Sequence, residues 1–399
     1  MRKGSLKRMA ASLCAAVFLV AAGCGSAAPQ SSTAAGTEAV SEAASEKAET
    51  KAQENKETKE SAEDKANGNE SRINEDGTIT IVDQLGKTIE LDGVPDRVAT
   101  TIMPFPYIFY AVVGNNDNLI GCNPSSILAY NDSALKYMYP ELAKADTSFV
   151  DTSFVVNVEE LIKLKPDVVF QWNYMDDEIK KMEDAGIKVI ALQYGSAEDL
   201  ETWIKIISTM MGKPERAEEL ITYFHKSVGE VDQALAGVGK EDYSNVLLLS
   251  DKLKVTGKGF SNYWLEHSKA VSPSSDLTGE ALNVNMEQIY QWNPDIIYIG
   301  NFTSIQPSDL LENKIEGEDW SAVSAVKSGN VYKIPIGGYR WDPPGVETPL
   351  MVKWLAKIQH PEEMKAMDMK DEVKKFYKTV YHFDLTDEML EEILGDTQN

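Results

Sequence analysis

The stretch VNVEELIKLKPDVVFQWN, residues 156–173, is written a second time as VNMEQIYQWNPDIIYIGN, residues 284–301. The two align without a gap at a constant offset of 128 (284 minus 156). Val156, Asn157, Glu159, Pro166, Asp167 and Asn173 recur as Val284, Asn285, Glu287, Pro294, Asp295 and Asn301, and most other positions trade like for like. Each copy predicts the same unit: an Asn that caps a helix (Val158 to Leu164 in the first copy), a Pro-Asp stop, and an apolar strand (Val168 to Gln171). Two halves of the chain are therefore built on one plan, and two similar lobes enclose a cleft in which a ligand is expected.

Working outward, Gly77 to Leu91 alternates apolar and polar residues on both sides of Leu85-Gly86-Lys87, which predicts a hairpin. Strands are expected over Arg97–Ile102, Leu119–Cys122 and Lys188–Gln193. Met103-Pro104-Phe105-Pro106 reads as a loop before an apolar helix that ends near Gly114, and a further helix is expected over Asp176–Ala185. Strands alternating with helices at this spacing imply a parallel sheet with helices on its faces, whose ligands collect at the carboxyl ends of the strands. Helices follow over Ala197–Met211 and Pro214–Ala236. The second opens with Pro in its first turn and reads as a stiff connector between lobes. Asn245–Leu249 restarts the pattern, Val331–Pro335 is a late strand, and Val346–Leu394 reads as largely helical.

The first residues carry Arg2, Lys3, Lys7 and Arg8 ahead of an apolar run from Met9 to Ala22, the pattern of a secretory leader over residues 1–23. It closes on Val20-Ala21-Ala22-Gly23-Cys24, similar to a bacterial lipobox, so Cys24 is expected to carry lipid and hold the protein at the extracytoplasmic face of the cell membrane. Residues 24–72, rich in Ala, Ser, Thr, Glu and Lys, have too few large apolar side chains to fold and read as a solvated tether. The rest divides into an expected N-terminal lobe (73–212), a linking helix (213–240) and a C-terminal lobe (241–399). A net charge of -24 argues against nucleic acid and against adhesion to an anionic membrane surface. Beyond the leader only Cys24 and Cys122 remain, so no disulfide framework exists, and Cys122 reads as a core thiol.

This order of elements resembles the substrate-binding proteins of ABC importers, in the subgroup with a helical backbone between its α/β lobes that takes up ferric siderophores, haem and vitamin B12. The resemblance covers nearly everything after residue 77. It implies an importer permease and its ATPase as partners and a monomeric carrier. It also implies that one Glu on each lobe docks on the permease, and the matching positions are Glu159 and Glu287. An acid in a first helical turn also favours the helix dipole, so the capped repeat supplies a second reason for these residues. Clefts of the family are lined by aromatic and basic side chains from strand-end loops. Here that implies Phe105, Trp172, Tyr174, Tyr194, Lys258, Tyr339, Arg340 and Trp341, with Arg340 suited to the anionic face of a metal complex. The alternatives are an Arg340–Asp342 pair, Trp172 and Trp341 in the lobe cores, and Lys258 in a solvated turn. Trp292 and Trp354, at helical spacing, read as core.

Only His225, His267, His360 and His382 are available as imidazole ligands, so a bare transition metal fits poorly. A metal already held in a chelator, most of all a ferric siderophore, fits better. Haem, a corrinoid, a nickel or cobalt chelate and a molybdate-type oxyanion are the alternatives. No resident cofactor is expected. No phosphate loop, Gly-x-Ser-x-Gly elbow or activated nucleophile accompanies the acids, so catalysis is not expected. A sensor or adhesin without a permease is the remaining rival, and it would have no need of both Glu159 and Glu287.

Overall fold

The computed structural model describes residues 70–114, 117–279 and 281–395. The leader, Cys24 and nearly all of the tether lie outside the described residues. The folded part opens slightly before the expected boundary, because β1 (Arg72–Ile73) pairs antiparallel with β2 (Ile79–Val82), which pairs with β3 (Thr88–Leu91) in the expected hairpin.

The first lobe is a parallel sheet of β4 (Val98–Thr100), β5 (Leu119–Gly121), β6 (Val168–Trp172) and β7 (Val189–Leu192), in the spatial order β5-β4-β6-β7. The second lobe contains β8 (Ser244–Asp251), β9 (Lys254–Val255), β10 (Ala270–Val271), β11 (Leu282–Asn283), β12 (Ile296–Ile299) and β13 (Val331–Lys333). Its parallel part runs β10-β8-β12-β13, the same order strand for strand, with β9 and β11 added antiparallel at one edge. The repeated phrase is thus the helix and third strand of one sheet plan used twice.

The chemistry of the repeat explains its invariants. Asn157 accepts a hydrogen bond from the Glu160 amide at 3.2 Å, and Asn285 accepts one from the Gln288 amide at 2.9 Å, each capping a seven-residue helix, Val158–Leu164 and Met286–Trp292. Both helices end on a left-handed residue, Lys165 (φ 48°) and Asn293 (φ 37°). The following Asp then pins the neighbouring strand: Asp167 N–H donates to the Arg97 carbonyl, and Asp295 N–H to the Asn245 carbonyl, both at 2.8 Å. Asn157→Ala and Asn285→Ala are each expected to cost about 1 kcal/mol. The two losses should add, since the sites lie in different lobes, and thermal melting of the single and double variants checks both points.

Strand residues point alternately into different cores. Val169, with Val156, Leu161 and Met182, builds a small core on the outer face of the first sheet, and Ile297 and Ile299, with Ile289 and Trp320, build its counterpart on the second. Val168, Phe170 and Trp172, together with Ile296 and Tyr298, join one large apolar cluster that runs through both lobes. The linking helix, Pro214–Ala234, crosses that cluster. Its 21 residues span roughly 31 Å at about 1.5 Å per residue, and Ala217, Leu220, Phe224, Val228 and Val231 form its buried stripe. Arg216 ties it to the first lobe and to a C-terminal helix, Met369–Val380, by donating to the carbonyls of Ala111 (3.1 Å) and Val380 (2.5 Å). Lys353, almost wholly buried, ties it to the second lobe through Glu230 (2.9 Å) and Glu372 (2.5 Å). Cys122 is buried, and burial pushes its thiol up to about 12.

Candidate ligand site between the lobes

The carboxyl ends of both sheets meet where the loop Ile336–Gly345 of the second lobe faces Tyr107 and Tyr194 of the first. Both tyrosine hydroxyls donate to a single acceptor, the Pro344 carbonyl, at 3.2 Å from Tyr107 and 2.6 Å from Tyr194. The Tyr107 ring stacks on Tyr339 with centroids 5.1 Å apart, and the Ala134 amide donates to the Gly337 carbonyl at 2.8 Å. Burial pushes the Tyr107 phenol well above its ordinary value, so it remains a donor at any physiological pH.

Glu347 shapes this loop from beneath. It precedes the helix Thr348–Gln359 and is 1% exposed. Its carboxyl accepts from the Gly338 amide (3.0 Å), the Tyr339 amide (3.1 Å) and the Tyr377 hydroxyl (2.7 Å). Burial raises its pKa to about 7, against the pull of those three donors.

Above that support, the Arg340 guanidinium lies 3.5 Å from the centroid of Phe302, and its Nε is 3.7 Å from Asp342. Phe302 is 48% exposed, so the stacked cation borders solvent. The Trp264 indole donates to the Asp342 carbonyl at 3.2 Å from below. Lys333, the last residue of β13, donates to the carbonyls of Thr303 (3.0 Å) and Ile305 (2.8 Å), and burial lowers its pKa to about 8. On the facing lobe, Trp172 at the end of β6 packs with Tyr174 (5.9 Å), Tyr194 (5.7 Å) and Trp203 (5.9 Å). Its indole N–H is buried and has no hydrogen-bond partner among the described residues.

The expected lining thus divides. Tyr194, Tyr339 and Arg340 meet at the junction of the lobes. Trp341 is 1% exposed and Trp172 6%, so both close the cores under the junction, with Trp172 reaching it through Tyr194. Tyr174 is buried behind Trp172. Phe105 is a correction: it starts the fully buried helix Phe105–Val113, is 0% exposed, and sits 4.3 Å from the Phe170 ring, which leaves it no surface for a ligand. Lys258 is exposed in the turn that bridges to Thr278, the solvated alternative. Arg340 and Asp342 do form the pair considered from sequence. Trp354 is core as expected, whereas Trp292 is only partly buried against the outer core of the second lobe. Tyr107, Glu347 and Lys333 are additions. Lys333 lies within the expected strand Val331–Pro335, whereas nothing local marks Glu347, which matters only because residues 338, 339 and 377 converge on it.

Glu159 and Glu287 are exposed at equivalent places on the capped helices. The sequence from 108 to 336 matches the family described as periplasmic binding protein. The chain belongs to that family. A periplasmic solute-binding protein of Veillonella parvula is 36% identical in solved structure, covering 80% of this chain and 98% of that one with a TM-score of 0.75. The molybdate-binding protein MolA of Haemophilus influenzae is 25% identical over 253 residues, 57% of this chain and 71% of that one. Its solved structure, described as the cognate molybdate periplasmic binding protein of an ABC transporter, has a TM-score of 0.67 at 20% identity, covers 77% of this chain and 98% of that one, and speaks for the fold. The iron(3+)-hydroxamate-binding protein FhuD of Bacillus subtilis is 26% identical over 203 residues, 48% of this chain and 62% of that one. The periplasmic binding protein resemblance expected from the repeat and the linking helix is therefore borne out, two α/β lobes included. Among the described residues, no helix is long and apolar enough to cross a membrane.

Proposed function

We propose that this chain is the extracytoplasmic solute-binding subunit of an ABC importer, tethered by lipid on Cys24, that captures an anionic metal chelate between its lobes. A ferric siderophore is the leading ligand. The permease and its ATPase are the partners, met through Glu159 and Glu287. The observation that carries the ligand class is the stacked cation of Arg340 on Phe302, bordering solvent where the two lobes meet. A guanidinium suits the carboxylate, catecholate or hydroxamate face of a chelate, and the partly buried Tyr194 gives flat contact area. Among the described residues no group of three His, Cys, Asp or Glu is placed to hold a metal ion, which favours a cargo that brings its own chelator. Binding rather than catalysis is the reading supported by the relatives, which are named as binding proteins.

A molybdate-type oxyanion is the second reading. It is favoured by the two hydroxyl donors, Tyr107 and Tyr194, that meet at the Pro344 carbonyl in the loop carrying Arg340, and by the name of the Haemophilus relative. Tryptophan-fluorescence titration of the purified chain separates the two. Ferric hydroxamates or catecholates should perturb the signal of Trp172, Trp264 and Trp341, while molybdate should not; the reverse result gives the site to the oxyanion. Arg340→Ala should weaken whichever ligand binds by about thirtyfold, the equivalent of roughly 2 kcal/mol for a hydrogen bond to a charged group. An unchanged affinity would remove Arg340 from the site.

A further inference from the structure

The repeat carries a second pair of equivalences that the capping chemistry does not explain. Ile162 is 50% exposed and Tyr290 is 39% exposed, and they stand at the same offset of 128 (290 minus 162) that relates Glu159 to Glu287. Each follows its Glu by three residues, which places acid and apolar side chain on one helical face, about 5–6 Å apart at Cβ. The inward residue between them is also equivalent: Leu161 and Ile289 are each 0% exposed in the outer core of their lobe. Both helices therefore bury one aliphatic side chain and present one acid and one large apolar side chain to solvent.

A single exposed apolar residue requires no explanation. Two at matching positions, each beside a matching acid, mark a surface that is used twice. Around them the lobes differ. Glu160 and Lys163 pair at 2.7 Å beside Ile162, while the corresponding residues beside Tyr290 are the neutral Gln288 and Gln291. The Tyr290 hydroxyl is held by the Asp319 carbonyl at 2.5 Å, so its ring is fixed in place. On the exposed face of the two helices, what the lobes share is the acid and the apolar group.

We infer that Glu159 with Ile162, and Glu287 with Tyr290, form two equivalent docking units, each meeting a cationic side chain beside an apolar patch on one of a pair of permease subunits. This rests on the importer reading above and adds an apolar half to each contact. A partner that offers the same surface twice matches a chain that presents the same unit twice, and two exposed glutamates select for cationic groups on that surface.

The test uses the full chain and its permease–ATPase complex reconstituted in lipid nanodiscs, with binding and stimulated ATP hydrolysis as readouts. Ile162→Ser and Tyr290→Ser should each weaken docking roughly tenfold, and the pair more, since each loses the burial of a half-exposed apolar side chain. Melting temperature should fall by no more than a few degrees, ligand affinity should stay at its wild-type value, and Ile162→Leu and Tyr290→Phe should retain docking. If the serine variants dock normally while Glu159→Ala with Glu287→Ala does not, the apolar half is wrong and glutamate docking stands. If neither set changes docking, the importer contact at these helices is wrong and this inference falls with it. If the serine variants instead abolish self-association of the chain and leave the permease contact intact, the faces belong to a second copy, which also overturns the inference.

Discussion

A Glu347→Ala variant is expected to melt about 6 °C below wild type and to bind ligand at least tenfold more weakly at temperatures where it is still folded. The carboxyl is the common acceptor for the Gly338 and Tyr339 amides and the Tyr377 hydroxyl. Alanine leaves three buried donors unmet, at about 1–3 kcal/mol each, and water entering the space relieves part of the cost, so a net loss of about 4 kcal/mol is expected. Ligand affinity follows because those amides hold the backbone that carries Arg340. A melting temperature within about 2 °C of wild type, on the order of 1 kcal/mol for a chain of this size, would show that the loop is held by other means.

The same residue sets a pH dependence. Its pKa is about 7 when folded, against 4.5 when exposed. A carboxyl raised in this way contributes stability that is fully present below pH 4.5 and is lost as pH rises through 7. The loss is on the order of 3 kcal/mol across that window. Glu347→Gln cannot titrate, and its amide nitrogen faces a backbone donor. It should be less stable than wild type at pH 5 and close the gap as pH rises, as chemical denaturation across the range will reveal.

Gly345→Ala should have the second large effect. A Cβ at this position collides with the Tyr107 hydroxyl and comes within 2.8 Å of the ring carbon Cζ. The ring has nowhere to go, because it stacks on Tyr339 and its hydroxyl is bonded to Pro344. Relief requires the two lobes to part at their junction, with a stability loss of about 1–3 kcal/mol and a ligand affinity reduced by a hundredfold or more. Combining Gly345→Ala with Tyr107→Phe removes the colliding oxygen and should restore part of both quantities. Failure of that rescue would mean the clash is absorbed elsewhere.

The repeat, the hairpin and the linking helix were legible in sequence because their signals are local: period, caps and breakers within some twenty residues. The helix Val158–Leu164 has the bounds its cap and its Pro-Asp stop imply. Phe105 misled for the opposite reason. A helix whose nine residues are all buried has no amphipathic period, so its start between two prolines reads as loop, and an aromatic there reads as available to a ligand. Trp172 ends a strand whose five residues are all buried, so alternation could not say which face it takes. Tyr107, Glu347 and Pro344 acquire their roles only through contacts between segments more than a hundred residues apart or across a loop closure, and no pattern along the chain encodes those. The exposure of Ile162 and Tyr290 is similarly invisible until the helix that carries each has been laid on its sheet.

The large apolar cluster that runs through both lobes sets limits on how this protein can be taken apart. Ile190 and Tyr298, Phe224 and Trp354, Tyr110 and Tyr377 belong to the same cluster, although their segments come from opposite ends of the chain. A chimera that exchanges one whole lobe with a relative would therefore inherit half of a core and strand the rest. The outer cores of the two sheets are self-contained and can be redrawn one at a time. Grafted specificity, inserted reporters and altered surfaces belong on those outer layers and on the strand-end loops, with the central cluster left as a single inherited block.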